Sequence, residues 1–412
     1  MRLPTGKAAM MTESRKKIIV TVVVAVLCIF VGYIVHSAQS HSFEGREHAK
    51  VAFVLDGDEG APYSHNFVRA ANAVEAAYGE SVDVEVRFNV PYDKSREVFE
   101  ELAQSGYAIV FSNSYEYGEY AKQVAAEYPR TQFCAATCDN ANATPIQTNY
   151  HTFMGEIYQG RYVTGKVAGM KLNEMIASGE VDPDEAWVGY VAAYPYAEVI
   201  SGYTAFFLGV RSECPQARMK VKYINTWGSY GLEMRAATEL IDGGCVIISQ
   251  HSNTIAPAIA CEESSVRHSV YHIGYNQDMA EIAPTVALVG TRIDWSPYCV
   301  SAVQAVLENK RIEDVVKGHV HGNDVGAGLE EGWVTVLTLN TALAPQGCKA
   351  MVDATVASLA AGTGHVFLGD YLGVDPVDAT DTWNLNTEYH ENENSSAPTF
   401  HYVLQDVIVI EE

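Results

Sequence analysis

The chain has none of the short signatures that announce a common class of enzyme. A G-x-S-x-G nucleophile turn, an H-E-x-x-H helix, a Walker loop and a G-x-G-x-x-G turn after a strand are all missing. Positive charge is scarce. Lys and Arg number 27 against 51 Asp and Glu, a formal charge of −24, which argues against nucleic acid or an anionic membrane surface as a partner. Heptads and low-complexity tracts of note are lacking too. Cysteine is limited to 8 residues, and beyond Cys28 an odd number remains. Cys134 and Cys138 could pair, but no second pair completes a zinc site, and small buried hydrophobes is the better reading of most of these thiols.

What the chain does contain is a repeated phrase, an apolar run emptying into a short polar or aromatic loop. It occurs as VAFVLDGDEG (51–60), YAIVFSNSY (107–115), TQFCAATCDN (131–140), WVGYVAAYPY (187–196), KVKYINTWGSY (220–230), VIISQHSN (246–253), VYHIGYNQD (270–278) and VALVGTRIDW (286–295). Runs this short, uncharged and rich in Val, Ile, Tyr and Phe read as strands buried on both faces of a parallel sheet. Stretches between them, such as KSREVFEELAQSG (94–106) and LEMRAATELIDGG (232–244), carry apolar residues three and four apart and read as helices. The fold class is α/β. With 412 residues, two lobes are expected rather than one core. The boundaries are a signal or anchor segment and linker over 1–48, a first lobe over 49–152, a second over 153–285, and return segments over 286–412 with a C-terminal helix (349–362) and a last strand (400–410). The polar stretch 379–398 reads as an exposed loop.

At the amino terminus, Arg15, Lys16 and Lys17 precede an uncharged run over 18–35. A run of about 18 apolar residues is either a transmembrane helix or a long signal core, and the basic residues before it hold that end in the cytoplasm. The rest is therefore expected on the extracytoplasmic face of the plasma membrane, anchored or released after cleavage near Ser37–Ser40. Lipidation at Cys28 is the weaker reading, because Leu27 stands where a small residue is normally needed.

Ligands of open α/β sheets bind outside the carboxyl ends of the strands, and the loops of the repeated phrase occupy those ends. Tyr63, Ser64, His65 and Asn66 fall where the first helix begins, so His65 and Asn66 are candidate ligand contacts, with Ser64 alone better read as a helix cap. Tyr194, Trp227, His251 and Asn253 end three successive strands of the second lobe, and Asn113 and Asn140 end two of the first. Flat aromatic surface with a polar rim fits a planar, hydrogen-bonding ligand such as a nucleobase. Asn276, Asp278, Asp294 and Trp295 continue the series. A cleft carboxylate discriminates among hydroxyl and amine donors, although Arg292 and Asp294 could equally form a structural ion pair. His319 and His321 share one face of a strand, but no third ligand can be named, and solvated or locally bonded histidines is the better reading.

The export signal, YSHNF (63–67), GEIYQGRYVTGKVAG (155–169), VGYVAAYPYAEVISGYTAFFLGV (188–210), SQHSN (249–253), GYNQDMAEIAP (274–284) and IDWSPY (293–298) together resemble the basic membrane protein family, the substrate-binding proteins of ABC importers that include purine nucleoside receptors. The resemblance covers about 50–372. It implies a two-lobed type I periplasmic-binding-protein fold, each lobe a parallel sheet flanked by helices, with the ligand held between lobes and a membrane permease as partner. Carried over, the family's first loop falls on His65 and Asn66 and its acidic loop on Asn276 and Asp278. The nucleoside receptors have Phe beside the Asn in the first loop, and Asp where this chain has Asn276. The chain is closer to a branch with His-Asn, Gln-His and Asp-Trp motifs, so a purine base or a nucleoside is expected. No cofactor and no catalytic residue is expected. A membrane-anchored extracellular sensory domain of the same fold is the alternative. An enzyme such as a nucleoside hydrolase would need a metal cluster near the first strand, for which only Asp56, Asp58 and Glu59 offer themselves.

Overall fold

The computed structural model describes residues 46–411. The apolar run at 18–35, Cys28 and the candidate cleavage site lie outside the described residues, among which no helix is long and apolar enough to cross a membrane. Two seven-stranded sheets carry the architecture. The first is built from β1 (Ala49–Val54), β2 (Val82–Arg87), β3 (Ile109–Ser112), β4 (Gln132–Ala136), β5 (Tyr150–Gly155), β11 (His319–His321) and β12 (Asp324–Ala327), in the order β11-β12-β5-β4-β3-β1-β2. The second contains β6 (Trp187–Ala192), β7 (Arg218–Tyr223), β8 (Cys245–His251), β9 (Tyr271–Tyr275), β10 (Ala287–Ile293), β13 (Val334–Val336) and β17 (Ile408–Glu411), ordered β13-β10-β9-β8-β6-β7-β17. Each has a parallel core and one antiparallel edge, β11 in the first and β13 in the second.

Burial explains the uncharged strands. Along β1, Val51 and Phe53 face a core shared with helices α1 (Pro62–Tyr78) and α8 (Ser296–Leu307). Ala52 and Val54 face the opposite core, against α2 (Tyr92–Gln104) and α3 (Gly118–Glu127). The second sheet is sandwiched likewise, between α4 (Ile157–Ser178) with α5 (Ala197–Glu213) on one face and α6 (Tyr230–Asp242) with α7 (Ala256–Ser264) on the other. Such strands have no polar face to alternate with, so they appear in the sequence as continuous apolar runs. The same layering separates Cys134 from Cys138, which sit in cores on opposite faces of the first sheet. All seven described cysteines are free and buried.

Three segments cross between the lobes: β5 into α4, β10 into α8, and β12 into β13. Residues 153–155 thus pair in the first sheet rather than beginning the second lobe, and β10 is a second-lobe strand whose helix belongs to the first. Helices α4 and α5 approach so closely that Gly is required. A Cβ on Gly165 would stand 1.9 Å from the Phe206 carbonyl oxygen, and one on Gly209 2.2 Å from that of Tyr162.

The tail departs from its sequence reading. After α9 (Cys348–Ala360), strands β14 (Leu372–Val374), β15 (Thr382–Asn384) and β16 (Val403–Leu404) form a small third sheet, and only then does β17 join the second sheet beside β7. The expected single last strand is two, divided by a turn in which Asp406 takes φ 64°. The stretch 379–398 is more than an exposed loop, because Leu385 fills the core beside Phe367 and Phe400, and Glu391 is buried where it accepts from the Thr399 and Phe400 N–H groups.

Gly165→Ala is expected to destabilise the protein by about 1–3 kcal/mol in denaturant unfolding, because its methyl meets backbone rather than a movable side chain; unchanged stability would mean that the two helices can separate freely. A second expectation concerns pH. Burial raises the Glu391 carboxyl from 4.5 to about 7. Over that window the folded chain holds a proton that the unfolded chain releases. Stability should therefore fall as pH rises from 4.5 towards 7, by no more than about 1.4 kcal/mol per pH unit, and level off above. Subtracting the pH–stability curve of Glu391→Gln from that of the wild type isolates this slope, and a flat difference would refute it.

Candidate functional site

The carboxyl ends of both sheets face one cleft lined from both lobes. From the first lobe, the loop after β1 and the loop after β3 meet at the point where the strand order reverses, the usual position of a ligand crevice. The Asp56 N–H donates to Asn113 Oδ1 at 3.0 Å, and Asn113 Nδ2 returns a bond to Asp56 Oδ1 at 2.8 Å. Asp58 turns the chain into α1 by accepting from the Gly60 and Ala61 N–H groups at 2.9 and 3.2 Å. Helix α1 begins at Pro62 after Ala61, with no side-chain cap. Ser64 is therefore already inside the first turn, where its hydroxyl donates to Asp56 at 3.5 Å, and Tyr63 donates to the Asn113 carbonyl at 2.6 Å. Burial pushes the Asp56 carboxyl up from its ordinary value, against the Asn113 bond. Ser114, Tyr115 and Thr137 complete this wall.

The second lobe contributes Trp227, His251, Asn253, Tyr275 and Glu198. The Asn253 N–H donates to the Trp227 carbonyl at 2.9 Å, tying two strand-end loops together. Tyr194 packs edge-on against Trp227 at 5.3 Å and stacks on Tyr196 at 5.0 Å. His251 Nε2 lies 3.3 Å from the Tyr275 hydroxyl and 3.4 Å from Glu198 Oε1. Burial holds this imidazole below its ordinary value, and Arg161, 3.7 Å from the centre of the Tyr275 ring, adds to the effect against the pull of Glu198. A neutral His251 offers one donor and one acceptor rather than two donors. Across the cleft, Trp227 Nε1 donates to Glu116 Oε1 at 3.2 Å, joining the lobes. The mouth beside it is lined by Met154, Tyr196 and the tail residues Ala397 and Pro398.

Of the residues expected at a site, Asn113, Trp227, His251 and Asn253 line this cleft, and Tyr194 stands behind Trp227. The others do not, for identifiable reasons. His65 is exposed, because one helical step turns it away from the face that carries Tyr63 and Ser64. Asn66 is buried between the lobes, donating to the Asn276 carbonyl at 3.1 Å and to Asn276 Oδ1 at 3.3 Å, while Asn276 Nδ2 is buried with no hydrogen-bond partner. Asp278 is exposed and accepts from the Ala280 N–H at 3.0 Å, holding its own turn. Asp294 accepts from the Ser296 N–H at 3.0 Å where α8 begins, and no ion pair joins it to Arg292 among the described residues. Trp295 is 0% exposed and stacks on Phe67 at 4.7 Å, a support behind Tyr63 rather than a wall. Asn140 lies outside the cleft, its Oδ1 accepting from the hydroxyl of buried Tyr150 at 2.6 Å. Asp56 and Asp58, the carboxylates a metal-dependent hydrolase would need, are spent on Asn113 and on turn N–H groups.

Sequence reasoning passed over Tyr115, Thr137, Glu198 and Tyr275. Tyr115 and Tyr275 lie within the repeated strand-end phrases, so that pattern could have included them. Thr137 stands one residue past β4 at φ 62°, and Glu198 in the first turn of α5 looks like any charge favoured at a helix N-terminus.

Comparison with known proteins agrees with this architecture. A purine-binding protein of Brucella abortus (strain 2308) is 27% identical over 328 residues, 78% of this chain and 84% of that protein. A protein of Haloferax volcanii bearing the name ABC transporter glucose-binding protein is 29% identical over 277 residues, 67% of this chain and 64% of its own length. Among solved structures, an ABC transporter solute-binding protein from Conexibacter woesei superposes with a TM-score of 0.58 at 20% identity, over 77% of this chain and 98% of that one. The family model described as ABC transporter substrate-binding protein, PnrA-like, matches residues 49–352. With that match spanning most of a two-lobed α/β chain whose strand ends converge on one cleft, the protein belongs to the PnrA-like family of ABC transporter substrate-binding proteins.

Proposed function

We infer that this protein captures a purine base or nucleoside between its lobes and presents it to a membrane permease. The observation that carries the reading is the composition of the cleft. Tyr63, Tyr115, Trp227 and Tyr275 supply flat apolar surface, while Asp56, Glu198, Asn113, Asn253 and His251 supply acceptors and donors around it. A purine ring offers two apolar faces and an edge of mixed donors and acceptors, and its amino or imino N–H groups suit the carboxylates. The name of the Brucella relative supports the same class of ligand. The Haloferax relative's name points to a hexose, and a carboxylate-and-amide rim under a Trp also fits sugar hydroxyls. Sugars therefore belong in any ligand panel.

Binding would proceed by closure of the lobes about the three crossovers, with the Trp227–Glu116 bond made across the closed mouth. Substrate-binding proteins of ABC importers act outside the cytoplasm, and retention of the run at 18–35 would hold this one at the membrane beside its permease.

Calorimetry against purine bases, nucleosides, sugars and amino acids should find a purine ligand bound at micromolar Kd or tighter, about −8 kcal/mol or better; binding confined to sugars or amino acids would sink the purine reading. Trp227→Ala should cost about 1–3 kcal/mol of ligand affinity, the range for loss of a base–aromatic stack. His65→Ala should leave affinity unchanged, since His65 faces solvent. The reverse ranking, at normal melting temperature, would place the ligand outside this cleft.

A further inference from the structure

A second cavity, of about 450 Å3, is walled by residues that include Glu156, His319, Glu330, His365, His390 and Glu391. Three of them bring ligand atoms together. A carboxylate oxygen of Glu156, one of Glu330 and a ring nitrogen of His319 all lie within 4.8 Å of one another. His319 on β11 places its Nδ1 2.7 Å from Glu156 Oε1. The remaining atoms are oriented from behind: Gln159 Nε2 donates to Glu156 Oε2 at 2.7 Å, and the Gly328 N–H donates to Glu330 Oε1 at 2.8 Å. Outer bonds of this kind fix the ligands of metal sites.

A further feature points to a ligand. Glu156 is 3% exposed and its ion-pair partner is a histidine, a poor counter-charge for a buried carboxylate. The same carboxylate is held on its other oxygen by Gln159, so its position does not depend on the histidine alone. The sequence shows only the His319–His321 pair; the carboxylates come from residues 11 and 163 positions away in the chain.

We propose that Glu156, His319 and Glu330 form a binding site for one divalent transition-metal ion of the zinc type. One imidazole and two carboxylates suit zinc or cobalt, whereas magnesium and calcium prefer an all-oxygen shell. Three protein ligands leave a fourth position for water or for a neighbour in the same cavity. Ligand atoms about 2.1 Å from a tetrahedral ion stand roughly 3.4 Å apart, so the cluster needs a small inward shift and a parting of the His319–Glu156 pair. Glu156 opens the first crossover and Glu330 lies in the third, so the ion would link two of the segments about which the lobes move.

The test uses the full-length protein, purified without a histidine tag and stripped by chelator. Titration with Co(II) should give one equivalent bound with visible d–d absorption, displaced by Zn(II). His319→Ala and Glu330→Gln, both at exposed positions, should each weaken binding at least about tenfold; His319→Ala also takes the partner from buried Glu156 and should lower the metal-free melting temperature, whereas Glu330→Gln should leave it unchanged. His401→Ala, in the separate Asp375–Asp381–His401 cluster, should leave affinity as it was. Absence of the cobalt band in the wild type overturns the site whatever the variants do. Wild-type affinity in both His319→Ala and Glu330→Gln, or a loss in His401→Ala alone, overturns it as well.

Discussion

The close approach of the three interlobe crossovers is the constraint on which the rest of the molecule depends. It is made possible by side chains that are not there. A Cβ on Gly155 would stand 2.7 Å from Ile293 in the second crossover; one on Gly160 would stand 2.1 Å from Thr291 and 2.8 Å from Val334 in the third. Gly328 lies equally close to Gln159, whose Oε1 accepts from the Leu329 N–H at 2.9 Å. The crossovers thus form one packed joint rather than three loose links. A joint of that kind can bend while keeping the two sets of strand ends in register, and that register puts Asn113 and Asp56 opposite Trp227 and His251.

Within the cleft, electrostatics derives from burial. Glu116, Asp56 and Glu198 all stand near the ligand space, yet among the described residues no Lys or Arg lines it. Asp56 is relieved by Asn113 and Ser64, and Glu198 by His251. Arg161, 0% exposed behind Tyr275, contributes positive charge from the rear without reaching into the space. A pocket of this sign favours neutral ligands rich in N–H or O–H donors and rejects phosphorylated ones, because an added phosphate would meet carboxylates with no cation to answer it.

How much of this was legible in the sequence depends on what each residue had to do locally. The strands were legible because burial on both faces leaves an uninterrupted apolar run, and the cleft's location came from the strand-to-loop phrase. Individual contacts were harder. His65 and Tyr63 are two residues apart, and only knowing that α1 starts at Pro62 tells which faces the cleft. Asp278 and Asp294 sit at strand ends, as ligand-binding carboxylates do, but turn and helix N–H groups compete for them on equal terms. Trp295 shows a further limit: an aromatic behind a wall and an aromatic in it occupy the same sequence position relative to the strand. The third sheet was invisible because its strands are two or three residues long, too short for any period to register.

That short-stranded tail bears on how the cleft can open. The family match ends at residue 352, and the chain beyond it packs on the second lobe through Phe367, Leu385 and Phe400. Yet the Ser396 N–H and hydroxyl each reach Asp324 of β12 at 2.6 Å, and Ser395 adds a bond at 3.2 Å, so the tail is also fastened to the first lobe. A strap across both lobes would resist opening if it were anchored far from the joint. Here it is anchored on the strand that itself runs into the third crossover, paired with β5 of the first. The Asp324 bonds thus lie at the joint, whereas the Trp227–Glu116 bond lies across the cleft. The same tail carries Ala397 and Pro398 to the mouth of the cleft.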